Sequence, residues 1–139
     1  MKGLISGLCF ALLAAGNVSA NDSKPVTVDV LAKSTVSWDG SELPSYPAGK
    51  PEITILKIDI APGVKLPLHE HPVINAGYLV SGELTVITED NKTLEMKAGD
   101  TLVEVVNKWH YGVNNGDVPA EIVVFYAGIK DKPLTIKHK

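Results

Sequence analysis

The stretch that decides the fold runs from Gly63 to Asn114: Gly63-Val-Lys-Leu-Pro-Leu-His69-Glu-His71-Pro-Val-Ile-Asn75, then Gly82, then Gly99-Asp-Thr-Leu-Val-Glu104-Val105-Val-Asn107-Lys-Trp-His110-Tyr-Gly-Val-Asn114. His69 and His71 stand two apart, so on a strand both rings point to one side. That spacing lets β-structure present two imidazoles to one ion. Imidazole suits Zn, Fe, Ni, Cu, Co and Mn alike, so the pair by itself does not select a metal. Taken alone, the pair would be two surface histidines.

Around this stretch, short runs rich in Val, Ile, Leu, Thr and Tyr alternate with turn formers. Val26 to Leu31, Glu52 to Ile60, Tyr78 to Val80, Glu83 to Thr88, Thr93 to Met96, Thr101 to Val106 and Ala120 to Tyr126 read as strands. Leu56, Ile58 and Ile60 share one face, as do Leu84 and Val86. Asp39-Gly40, Pro62-Gly63, Ser81-Gly82, Ala98-Gly99 and Asn115-Gly116 punctuate the runs. No stretch beyond residue 20 carries a helical period. Many short strands at even spacing predict an all-β sandwich or closed barrel in a single domain.

The two ends of the chain read differently. Lys2, the apolar run Leu4 to Gly16 and the small residues Val18-Ser19-Ala20 form a signal peptide over residues 1–20, with cleavage expected after Ala20. Export to the periplasm or the medium follows. Residues 21–51 then divide into an N-terminal strand and a crossover. Asp39 to Pro51 carries three prolines and cannot be a central strand; it is either a surface crossover or a lid that turns Trp38 or Tyr46 toward a ligand. Residues 52–139 are left for the barrel.

Composition narrows the partners. Cys9 lies inside the signal, so the mature chain has no cysteine, which excludes disulfides and thiolate metal sites. There is no arginine. Without Lys2, 12 lysines face 16 acidic side chains, a net charge of −4. That balance argues against nucleic acid and, once the signal is removed, against anionic membranes.

The intervals Gly63-x5-His69-x-His71-x3-Asn75-x6-Gly82 and Gly99-x5-Val105-x-Asn107-x2-His110-x3-Asn114 resemble the two signature motifs of the cupin superfamily. Every interval agrees, and the two motifs span nearly half of the mature chain. The resemblance implies a double-stranded β-helix, a jelly-roll barrel with a metal inside one end. It implies His69, His71 and His110 as ligands of one divalent transition metal, and Gly63, Gly82 and Gly99 as turn glycines. Small members of the superfamily are commonly dimers, so a homodimer is expected. Three positions depart from the pattern: Asn75 replaces a glutamate ligand, Val105 a proline and Asn107 a glycine. Asn107 suits a left-handed turn. Asn75 removes a charge and is either a weak neutral ligand or a hydrogen-bond donor to what the metal binds, or else it points away and another carboxylate, Glu104 being the candidate, restores the charge.

Further candidates remain open at this point. Tyr78 is either a core residue or an acid or base beside the metal. Glu104 is either on the solvent face or aimed inward as a partner or proton acceptor. Trp109, Tyr111 and Glu70 should face away from the metal by alternation. Asn114 is expected to be structural, and His138 an exposed tail residue without a role. Fold does not fix function. A metal-dependent enzyme acting on a small, anionic organic molecule is the first reading, with dioxygenase-like chemistry ahead of isomerisation or elimination. The alternative is a non-catalytic periplasmic protein that binds a metal or small molecule, and behind it stands a barrel that serves protein contacts.

Overall fold

In a computed structural model, residues 25–139 are described and form nine strands. These are β1 Pro51–Ile60, β2 His69–Glu70, β3 Ile74–Ser81, β4 Glu83–Thr88, β5 Thr93–Lys97, β6 Thr101–Val103, β7 His110–Val113, β8 Ala120–Ile129 and β9 Ile136–Lys137. They build two antiparallel sheets, in the orders β1-β8-β3-β6 and β5-β4-β7-β2-β9. Chain neighbours β3 and β4 lie in different sheets, as in a jelly roll rather than a meander. The expected all-β, double-stranded β-helix architecture is therefore the observed one.

Period-2 alternation decides which side chains fill the barrel. Ile60 on β1, Leu79 on β3, Leu84 and Val86 on β4, and Ile122, Val124 and Tyr126 on β8 are buried between the sheets. Each such aliphatic side chain contributes roughly 1.5–3 kcal/mol on burial. The turn from β3 into β4 needs Gly82. Its φ is +75°, and a Cβ there would stand 2.5 Å from the Pro119 carbonyl oxygen. Gly63 and Gly99 also take positive φ, and so does Asn107, at +53°. The Asn that stands for glycine in the second motif thus adopts the left-handed conformation anticipated for it.

The structure corrects the reading of the ends. Val26 to Leu31 forms no strand: Val26, Val28, Val30 and Leu31 are 63% to 82% exposed. The alternation is present, but no backbone ladder forms: Leu31 meets the edge strand β6 through its carbonyl, which accepts from Thr101 Oγ1 at 3.1 Å. The expected strand Thr101 to Val106 stops at Val103, because the chain turns there toward Asn107. The last residues are more than a tail. β9 pairs with β2, Lys137 opposite His69, and the His138 amide donates to the Leu68 carbonyl at 3.0 Å. The signal peptide expected over residues 1–20 lies outside the described residues.

Candidate metal centre

His69 on β2 is the cross-strand partner of His110 on β7, so the two rings sit side by side. His71, two residues on, returns to the same side. The ring centroids are 4.5 Å apart for His69 and His110, 4.9 Å for His69 and His71, and 5.0 Å for His71 and His110. One nitrogen from each lies within 4.8 Å of the other two.

The backbone orients all three rings alike. Nδ1 of His69 meets the Pro67 carbonyl at 2.7 Å, Nδ1 of His71 the Leu134 carbonyl at 2.9 Å, and Nδ1 of His110 the Lys108 carbonyl at 2.9 Å. A carbonyl only accepts, so each Nδ1 carries the proton, and in the neutral ring Nε2 keeps its lone pair. Histidines that bind metals are held in this way. Burial pushes the His71 ring down to about 4, although the Leu134 carbonyl opposes the shift, and burial lowers His69 as well. Both are therefore neutral donors at neutral pH. His110 Nε2 is buried without any hydrogen-bond partner. A buried polar atom left unpaired is costly. A cation at the centre of the triangle would satisfy it, so the donor set fits a divalent transition metal.

The three rings open onto a cavity of about 160 Å³ whose wall is mostly aliphatic, including Leu56, Ile58, Leu66 and Val86. Its remaining polar lining is Asn75, Glu104, Tyr126 and Thr135. Asn75 is buried on the inner face of β3. Its only side-chain hydrogen bond runs 3.5 Å to the Val73 carbonyl, too long to hold the amide firmly. Glu104 is buried too, which settles its direction as inward. Its Oε1 accepts from the Trp38 indole at 3.0 Å and from the Val105 amide at 2.9 Å, while Oε2 stands 3.6 Å from His110 Nε2. Tyr126 packs edge-on against His71 at 5.5 Å, and burial, with the Glu104 charge adding, raises its hydroxyl pKa.

Tyr78 is a correction. On β3 it alternates with Asn75, Gly77 and Leu79, so it lies half-buried on the outside of the barrel and does not line the cavity. An acid or base role beside the metal has no place in this geometry. Trp109 and Tyr111 face away as alternation requires: Trp109 meets the His138 ring at 5.0 Å, and Lys65 Nζ sits 3.8 Å above Tyr111. Asn114 is fully buried and structural, donating to the carbonyls of Ile60 and Val118. Tyr46 is exposed on the outside. Sequence reasoning missed Tyr126, Leu134 and Thr135. The one signal for the last two was a brief apolar alternation, Leu134-Thr135-Ile136, in an otherwise lysine-rich end.

The arrangement defines a metal-binding β-barrel protein. Residues 56–126 match the family model for the cupin domain, and the chain belongs to that family. It is 33% identical over 110 residues to a germin-like protein, subfamily 2 member 2, of Arabidopsis thaliana, covering 75% of this chain and 49% of that one. Among solved structures it is similar to an oxalate oxidase in complex with the substrate analogue glycolate, at 29% identity and a TM-score of 0.52, over 61% of this chain and 45% of the other. It is also similar to Bacillus subtilis oxalate decarboxylase, described for its Mn(II) centres, at 27% identity and a TM-score of 0.53, over 61% and 23%. The chain thus spans about half the length, or less, of these relatives.

Proposed function

We propose that this protein is an exported metal-dependent enzyme, dioxygenase-like, that binds a small organic anion directly to a metal held by His69, His71 and His110. The observation that carries the reading is the unpaired Nε2 of buried His110 with the Glu104 carboxylate 3.6 Å away. Three neutral imidazoles leave coordination positions open and leave the full metal charge to attract an anion. Among the described residues no lysine lines the cavity, and the chain has no arginine, so a bound metal would supply the positive charge that a substrate meets there. The small cavity favours a compact carboxylate, enolate or phenolate. In this reading Glu104 would accept a proton from the bound ligand, supported by the 3.6 Å approach of its Oε2 to His110 Nε2, and Asn75 would donate a hydrogen bond to that ligand. Manganese or iron is the preferred metal, the former supported by the Mn(II) centres of the similar decarboxylase.

The test has two stages. Elemental analysis of protein purified without chelator or affinity metal should find one transition metal ion per chain. Oxygen uptake and product analysis with oxalate, small diketones, phenols and thiols should then find turnover that His110→Ala abolishes. Metal without turnover of any of these would favour the non-catalytic binding protein instead.

Export and self-association belong to the same proposal. Among the described residues no helix is long and apolar enough to cross a membrane. The signal reading is checked by intact mass of the exported protein, which should begin at Asn21. A homodimer is supported by the outer face of the four-stranded sheet. Ile53, Ile55 and Phe125 are exposed together there, since Ile55 pairs with Phe125 across β1 and β8. The exposed Val26 to Leu31 run, which forms no strand within the chain, offers a matching apolar segment. Sedimentation should show a dimer that deletion of residues 21–31 weakens.

A further inference from the structure

Trp38 lies outside both histidine motifs, yet its indole reaches the site. The turn that carries it is fastened on two sides. Toward β6, the Trp38 amide donates to the Val103 carbonyl at 2.9 Å and Ser37 Oγ donates to the Glu104 carbonyl at 2.9 Å. On the other side, Lys108 Nζ donates to Asp39 Oδ2 at 2.8 Å, while the Lys108 carbonyl orients the His110 ring. The turn closes on itself through the Ser37 amide and the Ser41 carbonyl, with Gly40 at φ +90°. Trp38 also packs against the hydrophobic core. Its Nε1 is therefore a fixed donor.

That donor and the Val105 amide both bind Oε1 of Glu104. Oε2 is left 3.6 Å from His110 Nε2. The carboxylate is thus within reach of an ion bound to His110, but it is not a member of the three-nitrogen cluster. A carboxylate facing a divalent cation in a poorly solvated cavity is strongly drawn to it. Two hydrogen bonds on the far oxygen oppose that movement.

We propose that Trp38 is a positioning residue that clamps Glu104 beside the metal and off it, so that a coordination position stays open for an anionic ligand. This rests on the metal reading above. The absence of glutamate at position 75 makes the clamp consequential. Were Glu104 released, it would bind the ion, restore the charge that Asn75 omits and close the position at which an exogenous anion binds. Trp38 thereby sets anion affinity through Glu104 and touches neither metal nor ligand.

The test uses mature protein loaded with Co(II) and titrated with azide, followed by the visible spectrum. Wild type should bind azide. Trp38→Phe should bind cobalt at least as tightly, show an altered spectrum before azide is added, and bind azide at least tenfold more weakly. Trp38→Phe in a Glu104→Gln background should bind azide as Glu104→Gln alone does, because no carboxylate remains to be released. A Trp38→Phe protein indistinguishable from wild type overturns the clamp, as does an azide defect that persists in the Glu104→Gln background. Absence of any cobalt spectrum in wild type overturns the metal reading and the clamp with it. A measurement independent of the Trp38 variant's folding uses the two indole N–H signals of the mature chain in ¹⁵N NMR. One should move on Glu104→Gln and be slow to exchange in wild type; an unmoved signal overturns the clamp.

Discussion

Two buried carboxylates lie at neighbouring points of the molecule and meet opposite fates. The Asp39 side chain has no exposed surface and is answered by a cation, with Lys108 Nζ at 2.8 Å and the Ser41 amide at 2.9 Å. Burial raises its pKa, but Lys108 and Ser41 outweigh that and hold it at about 2. Lys108 is bridged onward to Asp90, also at 2.8 Å. Glu104, held by Trp38 next to Asp39 in sequence, receives only neutral donors and faces an imidazole whose Nε2 has no partner. The first carboxylate is electrostatically complete within the chain and fastens a turn. The second has no cationic side chain hydrogen-bonded to it among the described residues. A buried anion without its counter-ion marks where chemistry is expected, whereas one with its counter-ion marks structure.

The largest effect that would break this comparison is at the histidines. His110→Ala or His71→Ala should abolish the rise in Tm that metal gives wild type, a loss of at least a hundredfold in affinity. His138→Ala, whose ring lies against Trp109 on the far side, should leave that rise unchanged. Equal losses in all three would mean the ligands are misassigned.

Acid should distinguish the two regions next. His71 is held neutral at about 4 by burial, so between about 6.5 and 4 the unfolded chain binds the extra proton and the folded chain does not. Stability of the metal-free protein should therefore fall as pH drops through that window, by up to about 3 kcal/mol for this group. Asp39 acts lower. Its folded pKa of about 2 lies below the ordinary 3.8, so its contribution is present above 3.8 and lost as pH falls toward 2. Denaturant midpoints measured across pH for wild type, His71→Gln and Asp39→Asn should separate the two windows.

At neutral pH the paired substitutions should differ in kind. Asp39→Asn should cost about 2 kcal/mol of folding stability, since it leaves Lys108 half-answered and loosens the turn. Glu104→Gln should cost the metal-free protein little, because it removes a buried charge that lacks a cation. It should instead weaken metal binding about tenfold, by removing the nearest negative charge. Calorimetric metal titrations beside denaturant curves would show whether the losses fall where stated.

The smallest effect is expected at position 75. Asn75→Glu should tighten metal several-fold and weaken azide binding to the Co(II) form, because it places the missing charge on the ion. Equal azide affinity would show that Asn75 does not set the charge of the site and that Glu104 does so alone.

Much of this was legible along the chain. The strand period places His69 and His71 on one side, because that is local geometry and needs no partner to be read; that His110 joins them came from the resemblance of the two motifs to those of cupins, and the structure brings the three rings together. The left-handed turn at Asn107 is likewise a property of one residue and its neighbours. Glu104 could be narrowed to inward or outward but not decided, since an isolated strand has no inside. Tyr78 was left open and Val26 to Leu31 misread for the same reason: alternation says which residues share a face, not which face is covered or whether a ladder forms.

The sequence by itself therefore determined the all-β class and the turn positions, which arise from short-range covalent geometry and spacing, while the nitrogen donors were named by the resemblance of its two motifs to those of cupins. Only the tertiary structure decided that Trp38, 66 positions before Glu104, donates to it, that Leu134 orients His71 from 63 positions away, and that Asp39 is neutralised by Lys108. These contacts join segments with no common period, and they exist because two sheets closed around one cavity brought the chain's flanks against the motif strands.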